Sequence, residues 1–430
     1  MSGDSSIGSK LDSLDLNSIS TEDFNLIFSG KTGLARDFKE FFNIAEDLQH
    51  DKRLRLISDL EFTYNISKYA FTNTSMRIRL FTILFGSYKF GSIIGFKLFV
   101  KHICKFRNLL MLIPTVFGLL KIPKCFLFLT FFLNKKKVNK FFQNLDHLEL
   151  DLIILFSSGY DNLTFLFNTF FNNKNTKLLM IINNWDNPSS KSFISEKFNF
   201  VALWNKQQMQ HISKFNKISE NQMHIIGSTT ADLAYSKYEI LVDSVNSNEK
   251  KLLYIGQQNN YDELNDLMKI NAYIRGKPNS FYKRLIYRPH PLSKFKIKRL
   301  ESNKHKLNGI DILLGKTVNL TEYDGIICLP TTFILEVVLS KRPALIYAPK
   351  SKVYRRNPAR MWEYIHFNEF KDLGIVSVSN KFSNLKRHLD SGLPAQNSFE
   401  SEKFYDLFPK FADNYSTRLL TLIHNIKNIC

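Results

Sequence analysis

Residues 284–291 read RLIYRPHP and residues 323–347 read YDGIICLPTTFILEVVLSKRPALIY, and these two stretches decide the fold of the chain. In the first, a β-prone apolar run enters two prolines, which remove ladder donors and keep the preceding residues extended. In the second, an apolar strand is followed by Pro-Thr-Thr (330–332), a helical run over 333–340 and another strand. This order predicts a strand-turn-helix-strand unit of a parallel α/β sheet.

Similar apolar runs of strand length recur on both sides of a polar, turn-forming segment at residues 240–250. Continuous apolar runs are typical of strands buried on both faces of a parallel sheet. We therefore predict an α/β protein of two Rossmann-like domains that face each other across a cleft. The predicted strands cover 24–30, 54–58, 151–156, 177–183, 198–203 and 224–227, then 251–256, 284–291, 310–314, 325–329, 344–347 and 374–378.

The length of 430 residues exceeds the usual size of one hydrophobic core and favours two domains. The polar opening lacks the apolar segment of a signal peptide, and the four cysteines have neither CxxC spacing nor a disulfide pattern, so we expect a cytoplasmic protein. The predicted parts are a flexible tail (1–20), a first domain (21–240), a second domain (250–400), and a C-terminal helix (401–430) that crosses back to the first domain. We expect Pro409 to interrupt this helix.

A block without a single Asp or Glu runs from residue 62 to residue 145, inside the first domain. It contains 14 Lys and Arg residues of a chain whose formal net charge is +20. Lys121, Pro123 and Lys124 break its apolar runs into pieces shorter than the roughly 18–20 residues of a spanning helix.

We interpret residues 62–146 as a basic helical insertion that contacts an anionic membrane surface, where each lysine contributes roughly 1 kcal/mol. The alternative is a helical insertion packed on the first domain with a solvated basic face. Nucleic acid is not an expected partner, because no DNA- or RNA-binding motif accompanies the charge.

The turn at Pro330 is the candidate phosphate site. Free amides at the start of the following helix, together with the hydroxyls of Thr331 and Thr332, would bind an anion without a metal. Gly256, at the end of the first strand of the second domain, is expected to border the same crevice. Glu336 could accept hydrogen bonds from ribose or sugar hydroxyls. The alternatives are ordinary helix capping by threonine and a solvated helix glutamate.

Arg288 and His290 are expected to point the same way from the end of their strand. Together they would stabilise a diphosphate, or His290 would titrate near neutral pH. A structural histidine is the alternative.

In the first domain, the candidate residues follow a buried strand at its carboxyl end, where open α/β sheets bind ligands. Asp186 and Asn187 come first, and Asp186 is the candidate general base for an acceptor hydroxyl. Ser190 and Lys191, with the preceding serine, could hold a phosphate or sugar. A turn built from Asn, Pro and Ser would have the same composition.

The chain contains no GxGxxG, no GxxxxGK[ST], no HExxH and no GxSxG, which disfavours dehydrogenases, P-loop kinases and α/β-hydrolases. A loop with a DxD carboxylate pair is missing as well, so we predict neither a metal nor a cofactor.

Several further motifs occur in a fixed order along the chain: residues 185–191, Trp204-Asn205, Ile226-Gly227, Asp232, Arg288-Pro-His-Pro291, residues 323–336 and Lys341-Arg-Pro343. In this order they resemble two-domain GT-B glycosyltransferases and related transferases of bacterial surface-polysaccharide synthesis, including CDP-glycerol glycerophosphotransferases and capsule polymerase relatives.

The similarity covers roughly residues 150 to 350 and implies that the donor's nucleotide diphosphate binds the second domain through His290, Thr331, Thr332 and Glu336. The acceptor would then bind the first domain. The chain departs from the family at Leu329–Pro330, where relatives often carry a more polar run, and in its basic insertion.

The resemblance implies a metal-independent transferase that moves a sugar from a nucleotide-activated donor to a lipid-linked or other membrane-held glycan. We expect such a protein to be peripheral on the cytoplasmic face of the inner membrane. The alternatives are a polyol-phosphate transferase, a non-hydrolysing nucleotide-sugar epimerase, and a catalytically silent membrane-associated assembly protein.

Overall fold

The structure, a computed structural model, contains two parallel β-sheets in the part of the chain that it describes. The predicted tail (1–20), the basic insertion (62–146) apart from Gln143, and Asp186, Asn187, Ser190 and Lys191 lie outside the described residues. The described residues are 24–30, 54–56, 143, 150–157, 167, 171–182, 184–185, 188, 194, 197–216, 218–239, 249–257, 261–290, 300, 302–314, 318–350, 358–363, 365–374, 376–396 and 401–429.

The chain forms two compact units, each built around one sheet. The described residues up to Thr229, with Phe411–Ile429, form the first unit, and Thr230–Lys410 form the second. The second unit therefore starts before the predicted boundary at residue 240. It does so because Tyr235 Oη and Lys237 Nζ donate hydrogen bonds to main-chain carbonyls of the second unit, at 2.6 and 2.8 Å.

The first sheet has the strand order β2-β1-β3-β4-β5-β6, with every pair parallel. This order begins like the flavodoxin-like doubly wound plan. Its strands are β1 (Phe24–Gly30), β2 (Leu54–Leu56), β3 (Leu152–Ser157), β4 (Lys177–Ile182), β5 (Phe200–Leu203) and β6 (Met223–Ile225), and its helices are α1 (Lys206–Asn216) and α9 (Tyr415–Ile429).

Both faces of the first sheet are covered. Along β3, Leu152, Ile154 and Phe156 pack with one apolar side of α9, whereas Ile153 and Leu155 belong to a second core cluster that includes α1. Alternation with a period of two places successive side chains on opposite faces. Because both faces are buried, the strand reads as one continuous apolar run.

The second sheet has the strand order β12-β11-β10-β7-β8-β9, again with every pair parallel. Numbered from β7 as the first strand, this is the 3-2-1-4-5-6 order of nucleotide-binding doubly wound domains. Its strands are β7 (Lys251–Ile255), β8 (Arg284–Arg288), β9 (Ile310–Ile312), β10 (Gly325–Cys328), β11 (Ala344–Tyr347) and β12 (Ser377–Ser379).

Helices of the second unit cover this sheet. Leu267 and Ile270 of α3 and Leu385 and Leu389 of α7 share one buried cluster with β7, β8, β10 and β11. The α-helices in chain order are α2 (Thr229–Glu239), α3 (Glu263–Gly276), α4 (Ile334–Leu339), α5 (Pro358–Met361), α6 (Asn368–Leu373), α7 (Phe382–Ser391) and α8 (Glu402–Leu407), and 3-10 turns lie at Glu220–Gln222, Lys304–Leu307, Leu320–Glu322 and Ile365–Phe367.

The predicted α/β class with two parallel, Rossmann-like sheets is confirmed by these strand orders. The strand expected from Gly374 starts later, at Ser377, because Gly374 has φ 62° and ends α6 in the left-handed conformation. The predicted interruption of the C-terminal helix at Pro409 is confirmed, since α8 ends at Leu407 and α9 begins at Tyr415. Within the described ranges, no helix has both the length and the apolar character needed to cross a membrane.

Candidate functional site

The strand order of the second sheet locates a crevice at one edge. From β7 the chain winds to β8 and β9 on one side, then returns to β10 on the other side of β7. Ligands of doubly wound sheets bind outside the carboxyl ends of the strands at this switch point. Here it lies between Gly256, after β7, and the residues from Leu329 to Thr332, after β10.

Gly256 fits this place because no larger residue does. A Cβ at position 256 would collide with the Glu263 carboxylate and would lie 3.1 Å from the Tyr287 hydroxyl. The Gly256 amide donates to the Arg288 carbonyl at 2.9 Å, which extends the β7–β8 ladder by one residue. Gly256 thus lies directly after β7, next to the switch point of the sheet.

Arg288 connects the end of β8 to the segment after β10. Its guanidinium carbon lies 4.5 Å from the centroid of the Phe333 ring, a cation–π distance. Because β7 lies between β8 and β10 in the sheet, this contact passes across the switch point. Its cation is therefore held at the crevice rather than swung out into solvent.

The thiol of Cys328, the last residue of β10, is affected by several of the predicted site residues. Burial raises the pKa of its thiol to about 12, and the Glu336 carboxylate also raises this pKa. The Thr331 hydroxyl and the Arg288 guanidinium lower the pKa of the same thiol. Three predicted site residues thus lie close enough to Cys328 to act on it. A raised pKa disfavours the thiolate, the form in which a cysteine acts as a nucleophile.

The turn after β10 differs from its prediction in one respect. The amide of Phe333 donates to Thr331 Oγ1 at 3.2 Å, and the amides of Ile334 and Leu335 donate to the carbonyls of Thr331 and Thr332 at 3.1 and 3.2 Å. The expectation of free amides at this helix start is therefore wrong at all three positions, because a tight turn uses them before α4 begins. Thr331 makes the ordinary capping contact that was the alternative interpretation.

The hydroxyls remain as the polar groups of this turn. Thr331 and Thr332 are both half-buried, and within the part of the chain that the structure describes the Thr332 hydroxyl has no hydrogen-bond partner. Helix α4 spans six residues, Ile334–Leu339, and Glu336 lies in its first turn.

Tyr238 of α2 is a further residue of this neighbourhood that the sequence did not reveal. It is 8% exposed, and burial together with the Glu336 carboxylate raises the pKa of its hydroxyl. Because α2 precedes the second sheet in the chain, no local motif connects it to Glu336. Phe333 was also missed as the partner of Arg288, since a phenylalanine at a helix start has no sequence signature.

His290 is half-buried and follows the buried Pro289 directly after β8. It therefore lies at the same edge of the sheet as Arg288 and Gly256.

At the carboxyl edge of the first sheet, the described residues around the candidate segment have structural partners. Trp185 Nε1 donates to Gln207 Oε1 at 2.7 Å, and Gln208 Nε2 donates to the carbonyls of Asn184 and Trp185 at 3.2 and 3.1 Å. Asn205 Oδ1 accepts from the Gln208 amide at 2.9 Å and so caps α1. The candidates Asp186, Asn187, Ser190 and Lys191 lie outside the described residues, and their role stays a prediction.

Among the residues with described positions, no group of three or more His, Cys, Asp and Glu side chains could hold a metal ion. The metal-independent chemistry therefore remains a prediction from sequence.

No protein-family model matches this chain. No curated protein sequence matches it either. Among solved structures, a variant of the wall teichoic acid polymerase TagF soaked with CDPG is similar, with 14% identity, 65% coverage of this chain, 73% of that chain and a TM-score of 0.40. UDP-GlcNAc 2-epimerase from Neisseria meningitidis bound to UDP-GlcNAc has 11% identity, with 93% coverage of this chain, 99% of that chain and a TM-score of 0.46. Staphylococcus aureus MnaA with UDP has 11% identity, with 95% coverage of this chain, 98% of that chain and a TM-score of 0.43. All three scores lie below 0.5, and the fold assignment comes from the strand orders of the two sheets.

Proposed function

We propose that this protein is a metal-independent glycosyltransferase that moves a sugar from a nucleotide-activated donor to a membrane-associated glycan in surface-polysaccharide synthesis. The observation that carries the proposal is the contact between Arg288 and Phe333 across the switch point of the second sheet. A preorganised cation at this place suits a diphosphate leaving group, whose negative charge grows as the bond to the sugar breaks.

In this proposal the second unit binds the donor. Arg288 and His290 neutralise the diphosphate, and the hydroxyls of Thr331 and Thr332 donate hydrogen bonds to phosphate oxygens. Glu336, half-buried one turn further on, accepts from the ribose or sugar hydroxyls. A charged hydrogen bond of this kind contributes about 1.5–3 kcal/mol.

The chemical step needs one base. The oxygen of the acceptor hydroxyl attacks the anomeric carbon, the bond from that carbon to the diphosphate oxygen breaks, and its electron pair stays with the diphosphate. Asp186 takes the hydroxyl proton. A general base contributes about 100-fold or more, so Asp186→Asn lowers turnover by about this factor. The donor Kd is unchanged, because the proton is not transferred in the ground state.

The membrane part of the proposal rests on the acid-free stretch 62–145. We expect the protein to sediment with vesicles that contain acidic lipid and not with zwitterionic vesicles, and salt to weaken this binding. Replacing the consecutive lysines Lys135, Lys136 and Lys137 by glutamine reduces sedimentation. Equal binding to both kinds of vesicle would contradict an electrostatic membrane contact.

A nucleotide panel tests the donor site directly. Uridine, cytidine and guanosine diphosphates are each added to the purified protein, and the thermal unfolding midpoint is measured. A nucleotide that binds only the folded state raises the midpoint. At a nucleotide concentration of 100 times Kd the folded state gains about 2.7 kcal/mol of stability. If none of the three raises the midpoint, the proposed function is wrong.

The alternatives differ in their products. A glycosyltransferase releases nucleoside diphosphate only when an acceptor is present, whereas an epimerase converts the sugar nucleotide without any acceptor. A polyol-phosphate transferase releases nucleoside monophosphate, because the bond that breaks joins the two phosphates. An assembly protein without activity releases neither.

A further inference from the structure

The first residue of α3, Glu263, is a carboxylate buried beneath the switch point. It is 3% exposed. A buried carboxylate is costly unless hydrogen bonds compensate it. Glu263 Oε1 accepts from the Gln257 amide at 2.9 Å, and Glu263 Oε2 accepts from the Tyr287 hydroxyl. One carboxylate is thereby attached to the loop after β7 and to strand β8.

These two attachments lie next to two groups of the proposed donor site. Gln257 follows Gly256, and Tyr287 precedes Arg288. A Cβ at Gly256 would collide with the Glu263 carboxylate itself, so the main chain lies directly over the acid. The position of Glu263 therefore fixes the peptide from Gly256 to Gln257 and the end of β8 at the same time.

A second buried carboxylate on α3 provides an internal comparison. Asp266 is 5% exposed and accepts from the Tyr254 hydroxyl at 3.4 Å and from the Tyr261 hydroxyl. It has the same chemistry and a similar burial to Glu263. Both of its donors are side-chain hydroxyls, whereas Glu263 also accepts from the main-chain amide that follows Gly256.

We propose that Glu263 is a positioning residue for donor binding: it holds the Gly256–Gln257 main chain in the place where the donor's diphosphate binds. This inference rests on the proposed function. Glu263 acts through the main chain and does not contact the donor, because Gly256 lies between them.

The test compares Glu263→Ala, Glu263→Gln and Asp266→Asn, with the nucleoside diphosphate that stabilises the wild-type protein as the probe. Each tenfold increase in Kd corresponds to a loss of about 1.4 kcal/mol of binding free energy. We expect Glu263→Ala to raise Kd about tenfold or more. Glu263→Gln restores Kd to within about threefold, since its amide oxygen still accepts from the Gln257 amide. Asp266→Asn changes the unfolding midpoint and leaves Kd within about twofold.

A purely structural role predicts a different pattern, in which loss of affinity follows loss of stability in all three variants. Equal increases in Kd for Glu263→Ala and Asp266→Asn would overturn the inference, as would an unchanged Kd in Glu263→Ala. If Glu263→Ala does not fold, Tyr287→Phe removes one of the two donors with little loss of volume. We then expect an increase in Kd that is smaller than about tenfold.

Hydrogen exchange of the Gln257 amide separates this inference from the proposed function, because it needs no nucleotide. Glu263→Ala is expected to speed that exchange and Asp266→Asn is not. Unchanged exchange in Glu263→Ala would overturn the positioning role even if the protein binds nucleotides. Faster exchange in a protein that binds no nucleotide would instead refute the donor site.

Discussion

At the carboxyl edge of the first sheet, Trp185 and Gln208 donate hydrogen bonds to a neighbouring side chain and to main-chain carbonyls. At the corresponding edge of the second sheet, Arg288 packs on the ring of Phe333, and Thr332, among the described residues, keeps a hydroxyl without a partner. Both edges lie where doubly wound sheets bind ligands. The comparison shows that position at such an edge is not by itself evidence of binding, since the polar groups described at the first edge are hydrogen-bonded within the first unit.

The largest expected effect is a loss of stability from a substitution at the edge of the first sheet. Trp185 is 1% exposed, so Trp185→Ala removes a large buried side chain and leaves its cavity. We expect the free energy of unfolding to fall by about 3–5 kcal/mol in urea denaturation. Trp185→Phe retains most of the volume and loses the bond to Gln207, at a cost of about 1–2 kcal/mol, with nucleotide Kd unchanged. A folded Trp185→Phe protein that has lost nucleotide binding would assign this edge a binding role.

The next effect concerns the stability of the second unit through Asp266 and depends on pH. Burial raises the pKa of Asp266 to about 6, above its ordinary 3.8. Between these values the folded state holds more protons than the unfolded state, so stability falls as pH rises through this window. Relative to Asp266→Asn, which does not titrate, the wild type loses about 2–3 kcal/mol from pH 4 to pH 7. The groups that act on Asp266 are Tyr254, Tyr261, Glu263, Lys269 and Tyr347.

Urea denaturation of both proteins at several pH values measures this difference. A difference that stays constant from pH 4 to pH 7 would mean that Asp266 is ionised throughout and that its two tyrosine partners fully compensate its burial.

A smaller effect tests the glycine at the switch point. Gly256→Ala pushes a methyl group against Glu263 and Tyr287, and we expect about 1–2 kcal/mol of lost stability together with weaker nucleotide binding. Gly276→Ala is the control, because a Cβ there meets nothing within 4 Å at the end of α3. It should leave binding unchanged and stability equal or up to about 1 kcal/mol higher. Similar losses from both substitutions would remove the special status of Gly256.

The strands were predictable because fully buried parallel strands read as continuous apolar runs, as in β3, β7 and β10. Boundaries were less predictable where a glycine conformation sets them, as at Gly374. Gly256 and Arg288 could be assigned to strand ends from the sequence, since motifs at strand ends are local, and their part in binding stays a prediction. The contact of Arg288 with Phe333 was not predictable, because it depends on which strands are neighbours in the sheet. The same is true of Tyr238 beside Glu336, and of Glu263 beneath Gly256.

The central claim is that the edge formed by Gly256, Arg288 and Phe333 binds the nucleotide donor. The most direct measurement is the nucleoside diphosphate Kd of Arg288→Ala beside that of Arg284→Ala, by titration calorimetry. Both arginines belong to β8, but Arg284 begins the strand and forms an exposed ion pair with Asp311 at 2.5 Å. The donor site predicts an increase in Kd of about tenfold or more for Arg288→Ala and less than about twofold for Arg284→Ala. Equal Kd values for the two variants would contradict it.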